Sequence, residues 1–365
     1  MITIGVDAHK HAHMAVALDE RGRVTGQWQG ENSAAGWDEA TRWARALGNE
    51  RRWGIEGSGG YGRGLAQHLV GLGEVVYDIN PRLTATERRR SRRMDKSDAF
   101  DARAIAQVVQ REENTLPCVA AEDETAALAL LTSEREDAQA EATRLRNRLH
   151  HLLLQLDPEY HLHLPALTSV AGVRAAAVYT TTSGSLVQQE RAAVVRRLAG
   201  RLLLAMEQVA ELGGQIEALA QARYAPLTRL CGVSLLTVGS LAGILGPGRR
   251  FVSEAQLAAY AGVAPLETSS AGRVRHRLNR GGNRRLNAIV YRIALVQARC
   301  SPEAKAYLAR RVAEGKTKRE AFRALKRYLI RAIWRLWTEC VALTVPPLAR
   351  PQAPRPLLVS GGAVA

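Results

Sequence analysis

Five short apolar runs occupy the first 120 residues in one fixed order, and that order restricts the fold more than any other feature of the chain. ITIGVDAHK and HMAVALD read as two strands, and GRVTGQWQG as a third after the turn-forming DERG. WDEATRWARALG has helical spacing. RRWGIEG is a fourth short strand, followed by the flexible GSGGYGRG and by LAQHLVGLG as a helix. EVVYDINP is the fifth strand, stopped by Pro81, and a helix runs through 95–111.

The order strand-strand-strand-helix-strand-helix-strand-helix matches the ribonuclease H-like α/β fold. In such a sheet the first and fourth strands are neighbours and the last helix packs over their ends, so scattered acids can converge. Asp7 sits within the apolar first strand, where a charge is costly unless it is paired or binds metal. Glu56 ends the fourth strand, and the glycines after it let a ligand backbone come close. Asp98 and Asp101 share a helical face at spacing i, i+3. Four carboxylates with no adjacent base repel one another, and a hard divalent cation resolves that. Mg²⁺ is the natural candidate, as one ion or two, holding scissile phosphate oxygens. Singly, each acid has an ordinary reading. Asp7 could cap a turn, Glu56 could pair with Arg51 or Arg52, and Asp98 and Asp101 could form a solvated face. Together, in this order, they favour a metal site, with Asp95 an alternative ligand.

Beyond residue 120 the pattern becomes helical. Residues 121–157 carry no Gly and no Pro, which predicts one long helix, and a second runs from about 185 to 222. LTSVAGVRAAAVYTTTSG between them is an irregular interruption, so the two helices form either an antiparallel pair or an oligomerising coiled coil. LTRLCGVSLLTVGSLAGILG resembles a helix-hairpin-helix, a module that holds phosphate backbone through turn amides, with a plain core hairpin as the equal alternative. A short helix (SEAQLAAYAG), a polar loop, a helix (RRLNAIVYRIALVQ) and a basic helix (KTKREAFRALKRYLIRAIWRLW) follow, then a Pro-rich tail from Pro346 with the composition of a disordered segment. The expected domains are 1–120, 121–222 as a helical connector, and 223–345, with 346–365 as the tail.

Charge separates these parts. Residues 1–120 hold 17 Lys/Arg against 16 Asp/Glu, residues 121–222 hold 9 against 13, and residues 223–365 hold 25 against 6. The excess of +16 therefore lies at the C-terminal end, where it suits a polyanion and makes nucleic acid the favoured partner over an anionic membrane surface. Aromatic residues are only 5%, which argues against base stacking as the main binding device. No apolar run reaches the roughly 18 residues of a membrane span, and no signal peptide precedes MITIGVD, so a cytoplasmic, nucleoid-associated protein is expected. Cys118, Cys231, Cys300 and Cys340 form no CxxC pair and read as thiols.

In GVAPLETSSAGRVRHRLNRGGNRRLN two adjacent serines, Ser269 and Ser270, precede Arg273, Arg275, Arg277, Arg280, Arg284 and Arg285. A serine hydroxyl needs a base or cation to become a nucleophile, and transition-state charge at phosphorus needs a guanidinium clamp. A strand joined to serine keeps its phosphodiester energy, so DNA can be rejoined without ATP. The plainer reading is an ST-rich turn beside a phosphate-gripping loop.

GVDAHK, IEGSGGYG, DINP, KSDAFDA, AYAGVAPLETSS and HRLNRGGNRRLN resemble, in order and spacing, the DEDD transposases of the bridge-RNA-guided insertion-sequence family, and most closely its actinobacterial minicircle-type members. The likeness covers most of the chain and is weakest across 120–222 and the tail. It implies a RuvC-like N-terminal domain, a coiled-coil connector and a mainly helical C-terminal transposase domain. Matched motif by motif, the catalytic and metal-binding acids fall on Asp7, Glu56, Asp98 and Asp101. The family serine falls on Ser270, counted from Pro265; because Ala271 stands where the family has glycine, Ser269 is the alternative nucleophile. The resemblance also implies Mg²⁺, 5′-phosphoserine links, donor and target DNA, a structured guide RNA, and a composite site in a dimer or tetramer. Nucleic acid is then expected on Arg88, Arg89, Arg90, Arg92, Arg93, the arginines of the serine loop, Lys316, Lys318, Arg319, Lys326 and Arg327. Two other functions compete: a metal-dependent endonuclease or Holliday-junction resolvase that activates water, which leaves the serine loop idle, and a non-catalytic nucleic-acid-binding protein, which leaves Asp7 unexplained.

Overall fold

The computed structural model of the chain describes residues 1–90, 97–182, 184–248, 250–264, 266–267, 276–277 and 281–342. Strands β1 (Ile2–Ala8), β2 (Ala12–Leu18) and β3 (Val24–Glu31) precede α1 (Ala34–Leu47), then β4 (Arg51–Glu56), α2 (Arg63–Gly71), β5 (Val75–Ile79), α3 (Pro81–Arg90) and α4 (Asp98–Glu112). They form one sheet in the order β3-β2-β1-β4-β5. The first three strands pair antiparallel through short turns, while β1–β4 and β4–β5 are parallel and joined through helices. This is the ribonuclease H-like arrangement that the element order implies.

Alternation along β1 sends its side chains to two different layers. Ile4 and Val6 pack with Trp53 and Ile55 against Ala40 and Ala44 of α1 and Leu65, Ala66 and Leu69 of α2. Gly5 faces the opposite layer, where a Cβ would come within 2.1 Å of the Ala102 carbonyl oxygen on α4. Gly54 on β4 is equally filled, with Val109 Cγ2 2.4 Å from a built Cβ. The backbone of α4 therefore rests directly on the centre of the sheet.

Pro81 starts a helix rather than merely ending a strand. Asn80 Oδ1 accepts from the Arg82 amide at 3.0 Å, and proline at the first helical position lacks only a donor that no helix would use there. The expected helix over 95–111 begins later, at Asp98, because the Ser97 hydroxyl caps it by accepting from the Phe100 amide at 3.2 Å. Asp95 lies outside the described residues.

Two long helices, α5 (Glu124–Leu156) and α8 (Leu186–Tyr224), pack against each other along their lengths, with α6 (Tyr160–His163) and α7 (Val170–Ala177) at the far end. Arg223 pairs with Glu124 at one end and Arg201 Nη2 with Glu141 at 3.0 Å further along, so the pair is antiparallel within one chain. Its far half has its own core of Leu145, Leu149 and Leu153 against Val195, Leu198 and Leu202. Leu128, Ile216 and Tyr224 at the near end belong instead to the C-terminal core.

After a 3-10 turn (Ala225–Arg229), Gly232 turns the chain at φ +85° into α9 (Leu235–Leu245), which buries Val238, Leu241, Ala242 and Leu245. The helix-hairpin-helix-like segment thus has a single 3-10 turn as its first arm. The helices α10 (Glu254–Tyr260), α11 (Arg284–Cys300), α12 (Pro302–Ala313) and α13 (Lys318–Ala342) complete the region, and the short strands β6 (Leu266–Glu267) and β7 (His276–Arg277) pair antiparallel. Trp337 of α13 stacks on Tyr224 of α8 at 5.0 Å between centroids. All four cysteines are free, with the Cys231 and Cys300 sulfurs 3.9 Å apart. Among the described residues no helix is long and apolar enough to cross a membrane.

Candidate functional site

Asp7 and Glu56 are register partners in the parallel β1–β4 pair, so both side chains leave the same face at the carboxyl ends of adjacent strands. That face carries α4, whose first turn holds Asp98 and Asp101. The four acids expected from the sequence are therefore brought to one end of the sheet by three elements. Gly5 and Gly54 are the physical cause, since only bare backbone lets α4 approach closely enough.

The charge of each of the other three acids reaches Asp7. Burial pushes the Asp7 carboxyl above its usual range; the His9 imidazole opposes this, and the charges of Asp101, Glu56 and Asp98 add to the rise. Arg51 and Arg52 do not neutralise Glu56. Arg51 bonds Glu74 instead, and Arg52 pairs with Glu113.

His9 was not anticipated as part of this site. Its Nε2 lies 3.3 Å from Asp7 Oδ2 and 3.7 Å from Asp98 Oδ1, and Asp7, His9 and Asp98 each offer a ligand atom within 4.8 Å of the others. The Asp7 side chain is 16% exposed, against 52% for His9 and 59% for Asp98, so the site opens to solvent on the helix side. His9 stands two residues after the aspartate in GVDAHK, a spacing that does not by itself separate it from an ordinary histidine past a strand. Asn32 also escaped sequence reasoning. Its amide donates to the Lys10 and Tyr61 carbonyls at 3.3 and 3.2 Å, tying the turn after Asp7 to the glycine loop after Glu56, while Trp37 Nε1 donates to its Oδ1 at 3.1 Å.

The basic residues are distributed unevenly. Arg88, Arg89 and Arg90 end α3, with side chains outside the description, and Arg92 and Arg93 lie outside the described residues. So do Ser269, Ser270, Arg273, Arg275 and Arg280, and of Arg277 only the backbone in β7 is described. Downstream of them, the Gly281 carbonyl accepts a long 3.5 Å contact from Asn80, just past β5. Arg284 and Arg285 open α11, and Arg285 Nη2 pairs with Glu136 of α5 at 3.0 Å. Lys316 is exposed in the turn before α13, and Lys318 and Arg319 are exposed on its first turn. Lys326 is buried with its ammonium on Asn287, and Arg327 is paired with Glu254.

Residues 4–158, which include all four acids, match a family model of DEDD type described as a transposase. Residues 224–309, which include the two serines, match a model described as "Transposase IS116/IS110/IS902 family". A 43.6 kDa protein of insertion element IS110 from Streptomyces coelicolor is 30% identical over 282 residues, covering 66% of this chain and 70% of its own length. A 42 kDa protein of insertion element IS900 from Mycobacterium paratuberculosis is 27% identical over 375 residues, covering 90% of this chain and 94% of its own. A 44.8 kDa protein of insertion element IS116 from Streptomyces clavuligerus is 25% identical over 389 residues, covering 95% and 97%.

Proposed function

The chain belongs to the IS116/IS110/IS902 family of transposases, and from that premise we propose that it recombines DNA through a serine-linked intermediate, guided by a structured RNA. Membership implies DNA binding and phosphoryl transfer on DNA. What supports the finer reading is that Asp7, Glu56, Asp98 and Asp101 lie at one end of the sheet, with ligand atoms of Asp7, His9 and Asp98 within 4.8 Å of one another and no arginine on Asp7 among the described residues.

Those donors suit Mg²⁺, as one ion or two, held by Asp7, Glu56, Asp98 and Asp101. Bound there, Mg²⁺ supplies Lewis-acid stabilisation to a phosphate oxygen. The nucleophile is the Ser270 hydroxyl, with Ser269 the alternative. Its oxygen bonds the scissile phosphorus, the 3′ oxygen leaves with a proton as a 3′-hydroxyl, and a 5′-phosphoserine link results. Reversal onto a different 3′-hydroxyl reseals the strand. Arginines of the serine loop, Arg273, Arg275 and Arg280, hold the phosphate charge during both steps. Guide RNA, dimeric or tetrameric assembly and a site shared between subunits complete the proposal, with the first 120 residues as catalytic unit and 223–345 as serine-bearing unit.

The test uses supercoiled donor and target plasmids with the RNA encoded beside the gene, stopped in denaturant. Wild type should give a protein–DNA adduct that survives denaturation, Ser270→Ala should give none, and Asp7→Asn should slow adduct formation by roughly 10²–10³-fold. Cleavage that persists in Ser270→Ala and Ser269→Ala without any adduct would instead identify a nuclease that uses water.

A further inference from the structure

A groove between α11 and α13, closed on one side by Arg82 of α3, forms a cavity of ≈ 1070 Å³. Arg82, Arg284, Lys318, Arg319 and Arg323 converge on it from three helices, and none of the described residues lining it is a carboxylate. The neighbouring cleft between α12 and α13 differs, because Glu303 and Glu320 share its lining and Glu254 holds both Arg327 and Arg331. Cations concentrated in a concave site with no carboxylate among its described lining residues focus a potential that attracts an anionic ligand, although Arg323 also feels Glu320 of the neighbouring cleft.

The groove also has an apolar recognition surface. Tyr291 is 47% exposed, and its ring is fixed by Phe322 in an edge contact, with centroids 5.5 Å apart. Lys326, only 8% exposed, places its ammonium 5.8 Å from the Tyr291 centroid while donating to Asn287 Oδ1 at 2.6 Å. A held aromatic ring among phosphate-binding cations is the arrangement on which unpaired bases stack. The volume suits a ligand of a few nucleotides, since drug-sized sites run to about 1,000 Å³, and a duplex keeps its base faces stacked away from such a ring.

We propose that this groove binds an unpaired nucleic-acid strand, with phosphates on Arg82, Arg284, Lys318 and Arg319 and one base stacked on Tyr291. The assignment rests on the chain acting on nucleic acid but not on serine chemistry. RNA and opened DNA share the recognised features, so both are probed.

The experiment measures anisotropy of short fluorescein-labelled oligonucleotides of one sequence, as single-stranded RNA, single-stranded DNA and duplex DNA, on the full chain without divalent cation. Tyr291→Ala should weaken single-strand binding about tenfold, equivalent to about 1.4 kcal/mol, and leave duplex binding unchanged, which also shows the variant is folded. Tyr291→Phe should bind like wild type, and Lys318→Ala should lower the salt slope by about 0.7 on a single strand. Loss with RNA alone assigns the groove to a guide strand, loss with DNA alone to an opened DNA strand, and loss with both to either; each supports the proposal. Wild-type affinity of Tyr291→Ala for both single strands, an equal loss on duplex, or a Tyr291→Phe as weak as Tyr291→Ala overturns it. Failure of the adduct assay with intact groove binding would sink the serine chemistry and leave this assignment standing.

Discussion

Asp7 and Glu74 are both partly buried carboxylates beside the same sheet, and their neighbours send them in opposite directions. Burial alone would push the Glu74 carboxyl up, but hydrogen bonds from Arg51 and from Trp53 Nε1, with the Arg51 charge, hold it below the usual carboxylate range. A depressed carboxylate stabilises the fold above its unfolded pKa and loses that contribution as pH falls through the folded value. Glu74→Gln should therefore lower stability near neutral pH by about 2–3 kcal/mol and flatten the acid limb, read from urea midpoints between about pH 7 and pH 3. Asp7 has no arginine beside it, only the His9 imidazole at 3.3 Å, and otherwise sits among like charges. Asp7→Asn should raise the melting temperature of the metal-free protein by about 2–4 °C and remove any further rise on adding Mg²⁺, as differential scanning fluorimetry would report. The aspartate at position 7 could be picked out from sequence because a charge in an apolar strand demands a reason. His9 could not, because a histidine just past a strand has many ordinary uses and only its distance to Asp98 gives it this one.

Among the elements, α4 matters most to the site, and the residues that place it are two glycines in other elements. Gly5→Ala would drive a Cβ into the Ala102 carbonyl, a backbone atom that cannot rotate away. We expect a loss of about 3 kcal/mol by chemical denaturation and a weaker Mg²⁺ response, because lifting α4 moves Asp98 and Asp101 together. Element order and most helix extents were legible in the sequence, since strand alternation and Gly/Pro-free helical runs are local signals. Three features were not. Pro81 read as a stop but serves as a helix start, because Asn80 caps the turn. The helix α12 follows α11 after Ser301 alone, so its start signal, a capping serine and a first-turn proline, is not set off by any loop. The choice between an intramolecular antiparallel pair and an oligomerising coil for α5 and α8 was settled by cross-helix pairs such as Arg201–Glu141, which no heptad pattern specifies.

At the scale of the whole molecule, one arginine bridges the sheet and the helical C-terminal region. Arg250 Nη2 reaches Asp78 Oδ2 at 3.2 Å, while Asp78 Oδ1 accepts from Ser58 in the loop after Glu56 at 2.5 Å. Beside it the Cys118 amide donates to the Arg250 carbonyl at 3.1 Å, and Gln256 donates to the Leu116 carbonyl. Arg250→Ala should cost about 1 kcal/mol, given that both ion-pair partners are partly solvated. It should also split thermal unfolding into two calorimetric transitions where wild type should give one. By itself the sequence determined the element order, the polarity of the charge distribution and the residue types able to bind metal and phosphate, because each is written in local pattern or composition. Only the tertiary structure decided that Asp7, Glu56, Asp98 and Asp101 lie at one end of the sheet, that His9 reaches Asp7 and Asp98, and that Arg82 and Tyr291 line a common groove. Those facts depend on which backbone can approach which, and on contacts between residues far apart in the chain, neither of which any local window contains.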